Sequence, residues 1–141
     1  MSTAAAVAAA VSFVWLGMVV AISFLEAPLR FRAPGVTRQI GLGIGRLVFR
    51  ALNGVEVVFA GVLLVAAVAG PPGPVVTAAF VVAFAALGLQ VGAVRPRLTR
   101  RSEQVLAGLD APRSGAHHGY VGLEVVKVLA LVVAGIALLS R

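Results

Sequence analysis

At 141 residues, with 60% hydrophobic and only 12% charged side chains, the chain carries too little polar surface for a soluble domain. Its mean hydropathy is +1.04, and it has no cysteine, which excludes disulfides, thiolate metal sites and iron–sulfur clusters. The net charge of +7 reads as arginine-biased cytoplasmic loops, not as a nucleic-acid surface. Four membrane helices of about 20 residues nearly exhaust the length, so a single domain over residues 1–141 is expected.

The first apolar run, about residues 4–25, is broken only by Ser12 and Ser23. Met1 to Ala4 has no basic residue and the run exceeds a signal-peptide core, so it reads as a retained first span. Glu26-Ala27-Pro28 is expected to end it, because proline disfavours helix in the residue before it. A basic, glycine-rich segment follows, with a turn at Pro34-Gly35 and a short interfacial helix expected over Val36 to Arg46. Span two is expected at 47–69. Gly70-Pro71-Pro72-Gly73-Pro74 then permits only a tight connection to span three, 75–94.

A second polar loop, Arg95 to Gly115, has surface helical turns expected at 102–109, and span four is expected at 116–139. Of the twelve basic residues, all but Lys127 and Arg141 fall in the two long loops or at span ends bordering them. The positive-inside rule then puts both loops in the cytoplasm and both termini outside a bacterial-type inner or plasma membrane. The loop arginines at 95, 97, 100 and 101 suit anionic lipid headgroups, at about 1 kcal/mol each near the surface.

The fold class is therefore an all-α, integral membrane four-helix bundle. Arg50-Ala-Leu-Asn-Gly-Val-Glu56-Val-Val58 also aligns without gaps on His118-Gly-Tyr-Val-Gly-Leu-Glu124-Val-Val126. Both segments enter the membrane after a basic loop, which suggests two parallel-repeat helical hairpins. Spans one and three align poorly, so the repeat rests on spans two and four.

Glu56 and Glu124 are the chief functional candidates. A carboxylate in hydrocarbon is costly, so it faces the bundle interior, pairs with a cation or takes up a proton. His117, Tyr120, Glu124 and Lys127 follow i, i+3, i+7 and i+10 and share one helix face. Span two carries Arg46, Asn53 and Glu56, with Arg50 beside them. Glu26 ends span one near Arg30, and Gln90 lies near the same end of span three. Together these predict a cytoplasm-facing polar vestibule built from Glu26, Asn53, Glu56, Tyr120, Glu124 and Lys127. Arg30, Arg46 and Arg50 are its expected charge partners.

His117 and His118 invite a metal or haem reading, but adjacent residues on a helix point about 100° apart. An interfacial pair capping span four is the plainer reading. Gly41-x-x-x-Gly45 lacks the strand context of a phosphate loop and reads as close backbone packing. Trp15 and Tyr120 read as packing or interface residues. No nucleophile–base set is visible, so an enzyme is not expected and no cofactor is indicated.

Trp15-Leu16-Gly17, followed by Phe24-Leu25-Glu26-Ala27-Pro28-Leu29-Arg30-Phe31, resembles the transmembrane-protein-205-like group of small four-span membrane proteins. That group opens its first span with aromatic-x-Gly and leaves it through Ala-Pro-x-x-Phe. Glu26 and Arg30 depart from the pattern, so the resemblance implies architecture and no site residue.

Three functions are consistent with these features. One is a small proton- or cation-linked transporter, expected as a homodimer because one short chain offers little room for a path. The second is a structural or accessory subunit of a larger membrane complex. The third is a haem- or metal-binding membrane subunit. No nucleic-acid partner is expected.

Overall fold

The computed structural model describes residues 1–94, Arg100 and 115–141. Four helices in it are long and apolar enough to cross a membrane: Thr3–Arg30, Arg38–Ala69, Pro74–Gly92 and His118–Leu139. No strand occurs among the described residues. Helices suit this composition because every backbone N–H and C=O is satisfied within the segment, which hydrocarbon demands. The expected turns at 102–109 lie outside the described residues, as does most of the second basic loop.

The first span has three parts. Helix α1 (Thr3–Val19) starts at Ser2, whose hydroxyl accepts from the Ala5 N–H at 3.1 Å. A π-helical stretch, Val20–Glu26, follows, and then the single turn α2 (Ala27–Arg30). The helix thus continues through Glu26-Ala27-Pro28 instead of ending there. The Ala27 N–H reaches back to the Ile22 carbonyl, five residues earlier, and Pro28 falls in the first turn of the renewed α-helix. In that first turn its missing N–H matters least.

Helix α3 (Arg38–Ala69) is a single 32-residue helix. The expected interfacial helix and span two are therefore one element. Its start is set by Thr37, whose hydroxyl accepts from the Ile40 N–H at 3.1 Å, and no breaker separates Arg46 from Leu47. Its end at Gly70 leads to Gly73, where φ is +89°, a conformation that glycine adopts without strain. Pro74 then opens helix α4 (Pro74–Leu89), which passes into a second π-helical stretch, Gln90–Val94. Helix α5 (Gly115–Leu139) completes the bundle.

α1 packs on both α3 and α5, and α4 packs mainly on α5. Of the neighbouring pairs, the consecutive helices α3 and α4 are packed most loosely. The outer surface is apolar, with Val57, Val58, Leu64, Val65, Val68, Leu129 and Ile136 all exposed. Polar side chains lie inside instead, with Ser12, Asn53, Glu56, Gln90, Glu124 and Lys127 all buried. A surface of this kind fits a bilayer as solvent.

The core has two zones. Toward the end that carries the termini it is built from Ala5, Ala8, Leu63, Ala79, Ala134 and Leu138. Next comes an aromatic layer. Trp15 lies 6.3 Å from Phe84 and 6.4 Å from Phe59, and Phe80 stacks on Phe84 at 6.0 Å. Beyond it, toward the basic loops, the interior turns polar.

Glycines set three close approaches. Gly41 and Gly45 do not pack backbone on backbone as expected; they receive the Phe31 ring and the Arg30 guanidinium. Gly135 receives Phe13, so that a Cβ there would fall 2.6 Å from the ring. Gly17 has open space around it. Gly135→Leu should therefore destabilise the bundle by about 1–3 kcal/mol, the usual cost of overpacking, with Gly17→Ala close to wild type. Thermal unfolding in detergent, followed by circular dichroism, measures the difference.

Candidate functional site

The polar zone centres on Lys127 of α5, whose side chain is fully buried. An ammonium group has three N–H donors, and each finds an oxygen here. Lys127 Nζ pairs with Glu56 Oε2, lies 2.5 Å from Glu124 Oε1 and donates to Gln90 Oε1 at 2.7 Å. Three helices thus converge on one cation: α3 through Glu56, α5 through Glu124 and Lys127, and the end of span three through Gln90.

Span one supplies two further groups. Trp15 Nε1 donates to Glu56 Oε2 at 2.7 Å, and Ser23 Oγ donates to Glu124 Oε2. The Gln90 amide closes the network, donating through Nε2 to Glu124 Oε1 at 2.7 Å and to the Tyr120 carbonyl at 3.3 Å. The carboxyl groups of Glu56 and Glu124 and the amine of Lys127 are all buried here. By helix rise Lys127 sits about 18 Å from the terminal end of α5, well inside a hydrocarbon core of about 30 Å.

Both π-helical stretches border this cluster. Ser23 lies in the first and Gln90 begins the second, and both bond Glu124. The register that superposes Glu56 on Glu124 also superposes Glu26 on Val94, so the two stretches overlap in the repeat. A π turn carries one more residue than an α turn and re-aims the side chains beside it, a device frequent at functional sites. In the same register Lys127 falls on Phe59, so the cation is present in only one half.

A second layer lies toward the basic loops. Tyr120 OH donates to Asn53 Oδ1 at 3.4 Å, and the Tyr120 ring meets Phe49 edge-on at 5.8 Å. Arg30 stands over the other side of this group, 5.9 Å from the Phe49 ring centroid. Its guanidinium holds Glu26 through Nε at 2.9 Å and through Nη2, and donates to the Gly41 carbonyl at 3.4 Å.

Of the residues singled out by sequence, Glu56, Glu124 and Lys127 meet directly, with Tyr120 and Asn53 one layer away. Glu26 and Arg30 form a separate pair. Arg46 and Arg50 are exposed on α3, and neither is among the cluster contacts given above. His118 is exposed, and the side chain of His117 lies outside the described residues. Among the described residues no group of three His, Cys, Asp or Glu side chains is placed to hold a metal ion.

Sequence reasoning missed Trp15 and Ser23 as members of the site. Trp15 had a usable signal. It lies about 18 Å along α1, too deep for an interfacial belt, and a buried indole N–H needs an acceptor. Ser23 had none, because its contact depends on the π turn. No family model, curated protein or solved structure matches this chain.

Lys127→Met should destabilise the protein by about 3–5 kcal/mol, because it strands two buried carboxylates. Adding Glu56→Gln and Glu124→Gln should recover part of that loss. Trp15→Phe keeps the stacking and removes the donor to Glu56, at a cost of about 1–3 kcal/mol. Unfolding curves of the purified variants in one detergent, with helicity recorded beforehand, test all three.

Proposed function

We propose that this four-span membrane protein is a proton- or cation-linked transporter, with the Glu56–Lys127–Glu124 cluster as its ion-binding site. The observation that carries the reading is a single ammonium gripped between two carboxylates at bilayer depth. With both glutamates ionised the trio bears one negative charge, and one bound proton or monovalent cation makes it neutral. A bundle in need of helix packing alone gains as much from apolar side chains, without the cost of taking three charges out of water. Ionisable groups inside a membrane are for that reason functional candidates by default.

In this reading Tyr120, Asn53 and the Arg30–Glu26 pair form the approach from the basic-loop side, and that side is cytoplasmic by the positive-inside rule. The termini face outward, and a homodimer supplies the remaining path. The resemblance to the transmembrane-protein-205-like group belongs to the same proposal and bears on architecture alone. One observation favours the second reading, a structural or accessory subunit: every Lys127 donor is satisfied within this chain, as in a staple that locks four helices.

Reconstitution into liposomes loaded with a pH-sensitive dye separates the two. Glu56→Gln and Glu124→Gln should retain wild-type helicity and monodispersity and lose proton-linked flux by at least about 10-fold, the scale of losing one charge-assisted contact. If wild type carries no flux and native mass spectrometry finds a stable heteromeric complex, the accessory reading replaces the transporter.

A further inference from the structure

The polar cluster lies on the basic-loop side of Trp15, yet a further buried polar atom lies on its other side. Ser12 is fully buried on the inner face of α1, and its hydroxyl has no hydrogen-bond partner. It sits one turn from Trp15 toward the terminal end, about 4.5 Å along the axis. A hydroxyl unpartnered in such surroundings costs free energy, and a bound water is the partner most readily supplied.

Small residues line the inner face of α1 between Ser12 and the terminal end. The buried positions there are Ala5, Ala8 and Ala9, and the facing core mixes Ala79, Ala83 and Ala134 with Leu63 and Leu138. Alanine shields a helix carbonyl less than any larger apolar side chain, and each carbonyl keeps a second lone pair for a water proton. The column ends at a pocket lined by Met1, Ser2, Ala5, Gly70, Pro71 and Arg141. By helix rise, Ser2 is about 15 Å from Ser12.

We propose that Ser12 is a water-binding station on a proton path that joins the Glu56–Lys127 cluster to the pocket at the terminal end. Water bound at Ser12 passes protons along hydrogen bonds, and Trp15, hydrogen-bonded to Glu56, separates this column from the cluster at rest. The assignment of protons to the path rests on the transporter reading. The hydration of Ser12 does not.

The absence of native cysteine gives a direct test. Single variants Ser12→Cys, Ala8→Cys, Ala5→Cys and Val14→Cys are placed in lipid vesicles, and silver ion is added from the side of the termini. Val14 faces lipid, with 53% exposure, and serves as the dry control. A hydrated Ser12→Cys should react at least about 10-fold faster than Val14→Cys, since a thiol in apolar surroundings stays protonated and inert. Ala8→Cys repeats the measurement should Ser12→Cys fail to fold.

If Ala5→Cys reacts while Ser12→Cys and Ala8→Cys match Val14→Cys, the path is overturned, and the Ser12 hydroxyl turns back to its own helix. Fast silver reaction in a protein without flux would keep the hydrated column and overturn the transporter reading. Slow reaction alongside Glu56-dependent flux would do the opposite.

Discussion

One buried cation holds this bundle in its arrangement. Lys127 lies where water cannot solvate it, so its three donors must be met by protein oxygens. Those oxygens come from three of the four spans, and the fourth joins through Trp15 and Ser23. In lipid the hydrophobic effect gives helices little reason to prefer one another. Polar contacts therefore decide which faces turn inward, and the rotation of each helix about its axis follows from its contact with this cluster.

The spans were legible because hydrocarbon thickness dictates their length and the chain has little else. The glutamates and Lys127 were legible because charge in an apolar run must point inward. The choice of counter-ion was less so. Arg50 stands beside Asn53 and Glu56 in the sequence and is an expected charge partner, but it lies on an exposed face of α3. Helix ends were misread where local propensity met tertiary structure. Pro28 reads as a stop, yet the π stretch before it brings it into a helix start. A π turn depends on packing across the bundle and leaves no periodicity in the sequence to find.

The two aligned segments, 50–58 and 118–126, differ most just beyond their glutamates. Glu56 and Glu124 occupy matching positions on parallel helices, and each accepts from a group on the opposite hairpin or its own: Trp15 for Glu56, Gln90 and Ser23 for Glu124. The matching position of Lys127 is Phe59, which packs on Trp15 instead of supplying charge. One half thus provides the cation, and at the matching position the other provides an aromatic ring. The packing is unequal in the same sense, with α1 tight against α5 and α3 loose against α4.

Helix α3 is longer than the membrane needs. Its 32 residues span about 48 Å, against a hydrocarbon core of about 30 Å. The surplus projects at the basic-loop end, where Gly41 and Gly45 seat Phe31 and Arg30. No hinge interrupts it between that end and Glu56. The projecting end and the buried Glu56 carboxylate thus belong to one continuous helix, with no change of element between them.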